Sequence, residues 1–259
     1  NGELITITHT KQAYAAYQEG RISRQEYKEI VKHACPGPGT CPLMGTANTM
    51  CAVSEVLGLS PPGNATVPAN STEWLQMAKE AAVKIVELVK ADKKPRDHIK
   101  KANFENAMKI VMATGGSTNA ILHIPAIANQ AGINISIEEF DTLSRDIPVL
   151  CTIYPSHPTF TMDDYHKAGG VIAVCRELAD KGLLDSNTEG FFKSMEERLK
   201  DAKNYNTEVI HKVENPIFKT GGIAVLHGNL ATNNAIVKVS AVDPSVFEFT
   251  GPARVYESQ

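Results

Sequence analysis

The sequence predicts an α/β fold: a helix-rich α/β region over residues 1–206, then the first strands of an all-β domain over residues 207–259. Three observations carry this expectation. Apolar residues recur at helical spacing through most of the first 206 positions, between residues that start and stop helices. A short apolar run, "VLCTIY" at 149–154, reads as a strand between helices. From Thr207 the texture changes to short β-rich pieces, "EVIHKV", "GIAVLHG", "AIVKVSAV" and "ARVYES", separated by the turns "ENP", "NLATNN" and "DPS".

Each element has a local reason. Residues 10–33 read as a helix pair: Gly20 ends the first helix, and Ser23 with Glu26 three residues later makes the capping box of the second. Residues 46–57 keep helical period, and Gly58 closes them. "PPGNATVPANS" is a turn-rich connection, after which Ser71 opens a long helix to about residue 91 with "AAVKIVELV" as its buried stripe. "KKPRDHI" breaks that helix, and residues 101–114 form the next. "TGGSTNA" turns directly into the helix "AILHIPAIANQAG". A short helix precedes the 149–154 run, and "TMDDYHKAGGVIAVCRELADKGLLD" gives two helical pieces joined by Gly169-Gly170.

Composition bounds the function classes. The chain has 259 residues, 42% hydrophobic and 21% charged, enough for a sizeable core. A net charge of −3 offers no electrostatic case for nucleic acid or an anionic membrane, and no stretch reaches the roughly 20 apolar residues of a membrane span. An odd count of 5 cysteines fits reduced thiols, hence a cytoplasmic location, or a mitochondrial or plastid matrix in a eukaryote. The chain starts without Met and stops in a strand-like run, and both ends are expected to lie inside a longer protein.

The candidate chemistry sits in two loops. "HACPGPGTCPLMGTANTMCAVSEVL" places Cys35 and Cys41 before a helix start, where backbone N–H groups favour anionic ligands. Cys-x5-Cys is not a structural zinc spacing, and two thiolates do not complete a four-ligand site, so spacing alone leaves metal binding open. Cys51, Cys151 and Cys175 read as small core residues. "TGGSTNA" offers either an anion-friendly pocket at a helix start or a tight turn in which Ser117 or Thr118 caps the helix. His123 reads as a satisfied core histidine, and Asp163-Asp164 as helix-start charge.

Five segments carry a resemblance: "ACPGPGTCPLMGTANTMCAVSEVLGLSPPGN", "FENAMKIVMATGGSTNAILHIPAIANQAGI", "DDYHKAGGVIAVCRELADKGLLD", "NPIFKTGGIAVLHGNLATNNAIVKVSAV" and "GPARVYES". In order and spacing they resemble the dihydroxy-acid and sugar-acid dehydratase family over nearly the whole chain. The resemblance implies that residues 1–206 are the C-terminal part of a helix-rich α/β N-terminal domain and residues 207–259 the start of a β-barrel-like C-terminal domain; it also implies a [2Fe–2S] or [4Fe–4S] cluster held by three cysteines, a nearby Mg²⁺, and a homodimer or homotetramer. It also implies a reaction: loss of water from a 2,3-dihydroxy acid, with the cluster as Lewis acid, to give a 2-oxo acid in valine and isoleucine biosynthesis. The last cluster cysteine of the family falls on Cys41, and Cys35 stands where many relatives carry a supporting thiol. Thr46 and Asn48 share the Cys41 motif, and Ser117, Thr118 and Asn119 are implied near the active site or subunit contact.

The chain also departs from the family pattern. The "CDKxxPG" segment, with a further cluster cysteine and Mg²⁺ ligands, and the "RFSGG"-like segment with the catalytic serine have no match here. No catalytic residue is therefore expected among these 259 positions, and the chain alone is expected to hold no cluster and turn over no substrate. "CPLMGTANTM" is closer to some sugar-acid dehydratases, whereas "TGGIAVLHGNLATNNAIVKVSAV" is most like the dihydroxy-acid enzymes. A sugar-acid dehydratase, a truncated non-catalytic paralogue, and a redox or metal module built on Cys35 and Cys41 are the alternatives.

Overall fold

The computed structural model describes residues 5–34 and 37–257; Cys35 lies outside the described residues. The chain opens with the antiparallel pair α1 (Ile7–Gln18) and α2 (Arg24–His33). Gly20, at φ 70°, lets the Arg21 N–H return to the Ala16 carbonyl at 2.8 Å and end α1. The capping box of α2 forms as predicted: the Glu26 N–H donates to Ser23 Oγ at 3.2 Å, and the Ser23 N–H donates to Glu26 Oε2 at 2.7 Å.

The core is built on α3 (Thr46–Val56) and α6 (Lys101–Ala113). Between them lie α4 (Thr72–Lys90) and the single turn α5 (Pro95–His98). α6 is buried over most of its surface, and Phe104, Ala107, Met108, Ile110 and Met112 have no exposed surface. It packs on α3, on α7 (Ala120–Gln130), on α8 (Ile137–Asp146) and on α10 (Gly170–Ala179), which follows the short α9 (Met162–Lys167). Burying a helix on every side requires its polar side chains to find partners. Asn106 does so with the 185–188 loop, donating to the Asp185 carbonyl at 2.7 Å and accepting the Asp185 N–H at 3.0 Å. The last helix, α11 (Met195–Lys200), starts on a Ser194–Glu197 capping box.

The sheet is small. β1 (Ala224–Leu226) pairs antiparallel with β2 (Ala235–Val237), Val225 opposite Ile236, and β1 packs on α8. The structure is thus a helix-rich α/β arrangement with one two-stranded sheet, and the described residues form no barrel. No described helix is long and apolar enough to cross a membrane.

Four local expectations are corrected. Residues 149–154 are extended but make only a bridge, Val149 to Phe218, because their other backbone groups bond irregular partners: Leu150 and Cys151 both donate to the Ala113 carbonyl. Residues 208–213 are turns and irregular backbone and not a strand. Asn206 accepts the Glu208 N–H on its side chain and the Ile210 N–H on its carbonyl, which bends the chain and drives Val209 and Ile210 into the core. Residues 253–257 pair with no strand among the described residues, leaving Val255 and Tyr256 exposed. Finally, "AAVKIVELV" is not a buried stripe: α4 buries no side chain fully, and Val83, Ile85, Val86 and Val89 face outward.

Candidate functional site

The Cys41 loop is held by one side chain. Asn48, in the first turn of α3 and 2% exposed, donates to the carbonyl oxygens of Cys41 at 2.7 Å and Leu43 at 2.6 Å. Its Oδ1 accepts the Thr40 hydroxyl at 2.7 Å. One buried amide thus ties together the Cys41 and Leu43 carbonyls and the Thr40 side chain. The far side of the loop is pinned to the segment from Tyr154 to the start of α9: the Met44 N–H donates to the Tyr154 carbonyl at 3.0 Å and the Met162 N–H to the Pro42 carbonyl at 3.1 Å. Cys41 itself is a free, half-buried thiol.

The loop ends at the N-terminus of α3. Gly45 is the N-cap and no side chain closes that end, so the positive pole of the helix is directed at the Cys41 loop. The other pole is anchored in the interior. Arg198, 6% exposed, donates from Nη1 to the Glu55 carbonyl at 2.6 Å and from Nη2 to the Val56 carbonyl at 3.5 Å. A cation on the terminal carbonyls satisfies orphan acceptors and suits the negative pole.

The second loop comes to the same place. Gly115, at φ 54°, and Gly116 bring residues 114–119 onto α3; a methyl group at Gly116 would stand 3.0 Å from Thr49 Cγ2. That closeness lets the Ser117 N–H donate to Thr49 Oγ1 at 3.0 Å. Thr46 Oγ1 lies 3.1 Å from Ser117 Oγ and accepts from Asn119 Nδ2 at 2.7 Å. Thr46, Thr49, Ser117 and Asn119 therefore form a network of hydroxyls and amide at the same end of α3 as Cys41. Neither Ser117 nor Thr118 caps α7; its N-cap is Asn119, without a side-chain cap bond. No hydrogen bond of the Thr118 side chain joins this network among the described residues.

The other singled-out groups lie elsewhere. Cys151 and Cys175 are fully buried, and burial pushes both thiols up, Cys175 to about 12. Cys51 is half-buried against the core, its thiol also raised by burial and then by Glu55. His123 is exposed, because Ile121, Ile124 and Ala128 set the inward face of α7; the expectation of a core histidine fails by helical phase. Asp164 does start α9, accepting the Thr161 N–H at 2.8 Å. His157 Nδ1 accepts the Phe160 N–H at 3.0 Å, and His166 Nδ1 lies 3.1 Å from Thr66 Oγ1.

Among the described residues no three His, Cys, Asp or Glu side chains stand together as a metal site. Cys41 offers a single soft donor at the positive end of a helix, which suits one ligand of an iron–sulfur cluster but does not make a complete site. Asn48 is the residue whose role composition does not reveal. Its signal is a buried polar residue in the first helical turn, where a side chain can reach back to the preceding loop.

The chain matches the family model of the dihydroxy-acid/6-phosphogluconate dehydratase N-terminal domain over residues 1–198 and that of the C-terminal domain over residues 208–259. It is 46% identical over 257 residues to a protein of Caldicellulosiruptor bescii named dihydroxy-acid dehydratase, covering 99% of this chain and 46% of that protein. A protein of the same name from Caldanaerobacter subterraneus subsp. tengcongensis is 43% identical over 260 residues, covering 100% of this chain and 47% of the relative. One from Pyrococcus furiosus is 41% identical over 259 residues, again 100% of this chain and 47% of the relative. The chain thus spans about half the length of the curated relatives it matches. With both family models matched in order and together covering nearly every residue, the chain belongs to the dihydroxy-acid/6-phosphogluconate dehydratase family.

Proposed function

We propose that this chain is part of a hydro-lyase that removes water from a 2,3-dihydroxy acid to give a 2-oxo acid, with the branched-chain acids of valine and isoleucine biosynthesis as substrates. The observation that carries this reading is the name shared by relatives 41–46% identical along the chain, dihydroxy-acid dehydratase. The geometry adds a role for the chain's own residues. Cys41 contributes one thiolate to a [2Fe–2S] or [4Fe–4S] cluster whose other ligands, like those of the Mg²⁺, come from residues outside these 259. Asn48 holds the carbonyls of Cys41 and Leu43, and Thr46, Ser117 and Asn119 present hydroxyl and amide groups at the same end of α3. The location in this reading is the cytoplasm, or an organelle matrix in a eukaryote.

The test is a 2-oxo acid assay on a protein extended to the length of its relatives, offered 2,3-dihydroxy-3-methylbutanoate and, separately, a six-carbon aldonate. The account expects kcat/KM to be at least tenfold higher for the branched-chain acid. A preference for the aldonate would move the protein to the sugar-acid branch, and no turnover of either would favour a non-catalytic paralogue.

A further inference from the structure

The 114–119 loop lies between two walls. One is α3, through the contact of Gly116 with Thr49; the other comes from the C-terminal part of the chain. The Gly221 N–H donates to the Ser144 carbonyl at 2.5 Å and the Gly222 N–H to the Met112 carbonyl at 3.3 Å. This lays the glycine pair across the end of α6, where the loop begins. A methyl group at Gly222 would stand 3.0 Å from Gly115 Cα and 3.3 Å from Ser240 Oγ, and one at Gly115 would stand 3.1 Å from the same oxygen. Gly115, Gly222 and Ser240 thus meet with no room for another carbon. The Ser240 hydroxyl is buried and has no hydrogen-bond partner among the described residues, so it serves this contact by its size and not by a bond. Gly115 belongs to the part that matches the N-terminal family model, Gly222 and Ser240 to the part that matches the C-terminal one.

What the loop carries is sensitive to where these walls stand. The Ser117 N–H reaches Thr49 Oγ1 at 3.0 Å, and Asn119 Nδ2 reaches Thr46 Oγ1 at 2.7 Å. An N–H···O bond is seldom longer than about 3.2 Å, so a loop shift of about 0.5 Å breaks the first of them. We propose that Gly222 and Ser240 are positioning residues: the C-terminal segment keeps Gly115 and Gly116 against α3 and so holds Ser117 and Asn119 on Thr46, at the end of the helix where Cys41 lies. The contact is independent of the catalytic reading, and its effect on turnover rests on that reading.

Hydrogen exchange followed by mass spectrometry, on a protein extended to the length of its relatives, tests it. Gly222 does not have a positive φ, so Gly222→Ala adds the close contact without backbone strain. Gly222→Ala and Ser240→Val are each expected to speed exchange at residues 115–119 about fivefold or more, while the α6 amides at 104–112 change less than about twofold. Ser240→Ala, no larger than serine, and Gly228→Ala, whose added methyl meets nothing within 4 Å, leave exchange at 115–119 at the parent value. In the 2-oxo acid assay, Gly222→Ala lowers kcat about tenfold with KM and iron content retained. Equal acceleration at 104–112 would mean a general loss of stability and would overturn the proposal, as would unchanged exchange at 115–119. Faster loop exchange with kcat unchanged in an active parent would overturn the positioning role. A parent without turnover would refute the proposed function instead, and the exchange result alone would then decide this inference.

Discussion

Replacing Asn48 by Ala removes the three hydrogen bonds of a buried side-chain amide. The lost contacts are those to the Cys41 and Leu43 carbonyls and the one received from Thr40. At about 1 kcal/mol of net stability each, the loss is about 3 kcal/mol, more if the buried Leu43 carbonyl finds no new partner. For a domain of this size, about 2–4 °C of Tm follows each kcal/mol, so Tm falls by about 6–12 °C. Asn48→Asp keeps the acceptor for Thr40 but aims a carboxylate at two carbonyl oxygens, and is expected to be at least as damaging. Urea unfolding followed by far-UV circular dichroism measures the change. Because the loop is released locally as well, Cys41 should react with a thiol reagent severalfold faster in Asn48→Ala under native conditions. A stability loss below about 0.5 kcal/mol, with Cys41 reactivity unchanged, would show that Asn48 does not hold the loop.

Gly169 sits at φ 112°, and a methyl group there would meet the Lys203 carbonyl oxygen and Ala173 Cβ, so Gly169→Ala is expected to cost about 2 kcal/mol or more by calorimetry. Glu55 is 1% exposed; burial raises its carboxyl pKa, opposed by the backbone N–H groups of Ala65 and Gly63 and by Arg198. A raised folded-state value means that its contribution is present at low pH and is lost as pH rises through that value. Glu55→Gln should therefore gain stability relative to the parent as pH rises above the ordinary carboxylate range in urea titrations, and parallel pH profiles would refute this. With Cys175 pushed up to about 12 and Cys151 fully buried, peptide mapping after brief alkylation near neutral pH should find Cys41 modified well before either of them.

Much of the helical framework was legible from residue chemistry. The Ser23–Glu26 capping box, the Gly20 stop, the Ser71 start and the Gly169-Gly170 break are local signals, and local hydrogen bonds carry them out. The errors came where tertiary partners decide. Apolar runs at 149–154 and 208–213 satisfy strand propensity, but their backbone groups are taken by Ala113 and Asn206 before a ladder can form. α11 escaped notice although its Ser194–Glu197 box is present in the sequence, because six residues give too little periodicity. The α4 stripe differs from its expected burial because apolar period reveals a face without saying what covers it. At the site, the resemblance implies Cys41 with Thr46 and Asn48 in one motif, and Ser117, Thr118 and Asn119 in a second loop near the active site or subunit contact. Only the fold distinguishes the Asn48 clamp from the Thr46–Ser117–Asn119 network and leaves Thr118 out of it. The Cys35 expectation lies outside the described residues.

The central claim is that Cys41 is a cluster ligand. Iron and acid-labile sulfide, measured after anaerobic purification of a protein extended to the length of its relatives and of its Cys41→Ser variant, test it most directly. The account predicts a stoichiometric cluster in the parent, its loss in Cys41→Ser with the fold intact by circular dichroism, and none on the 259-residue chain alone. An undiminished cluster in the Cys41→Ser variant would contradict it.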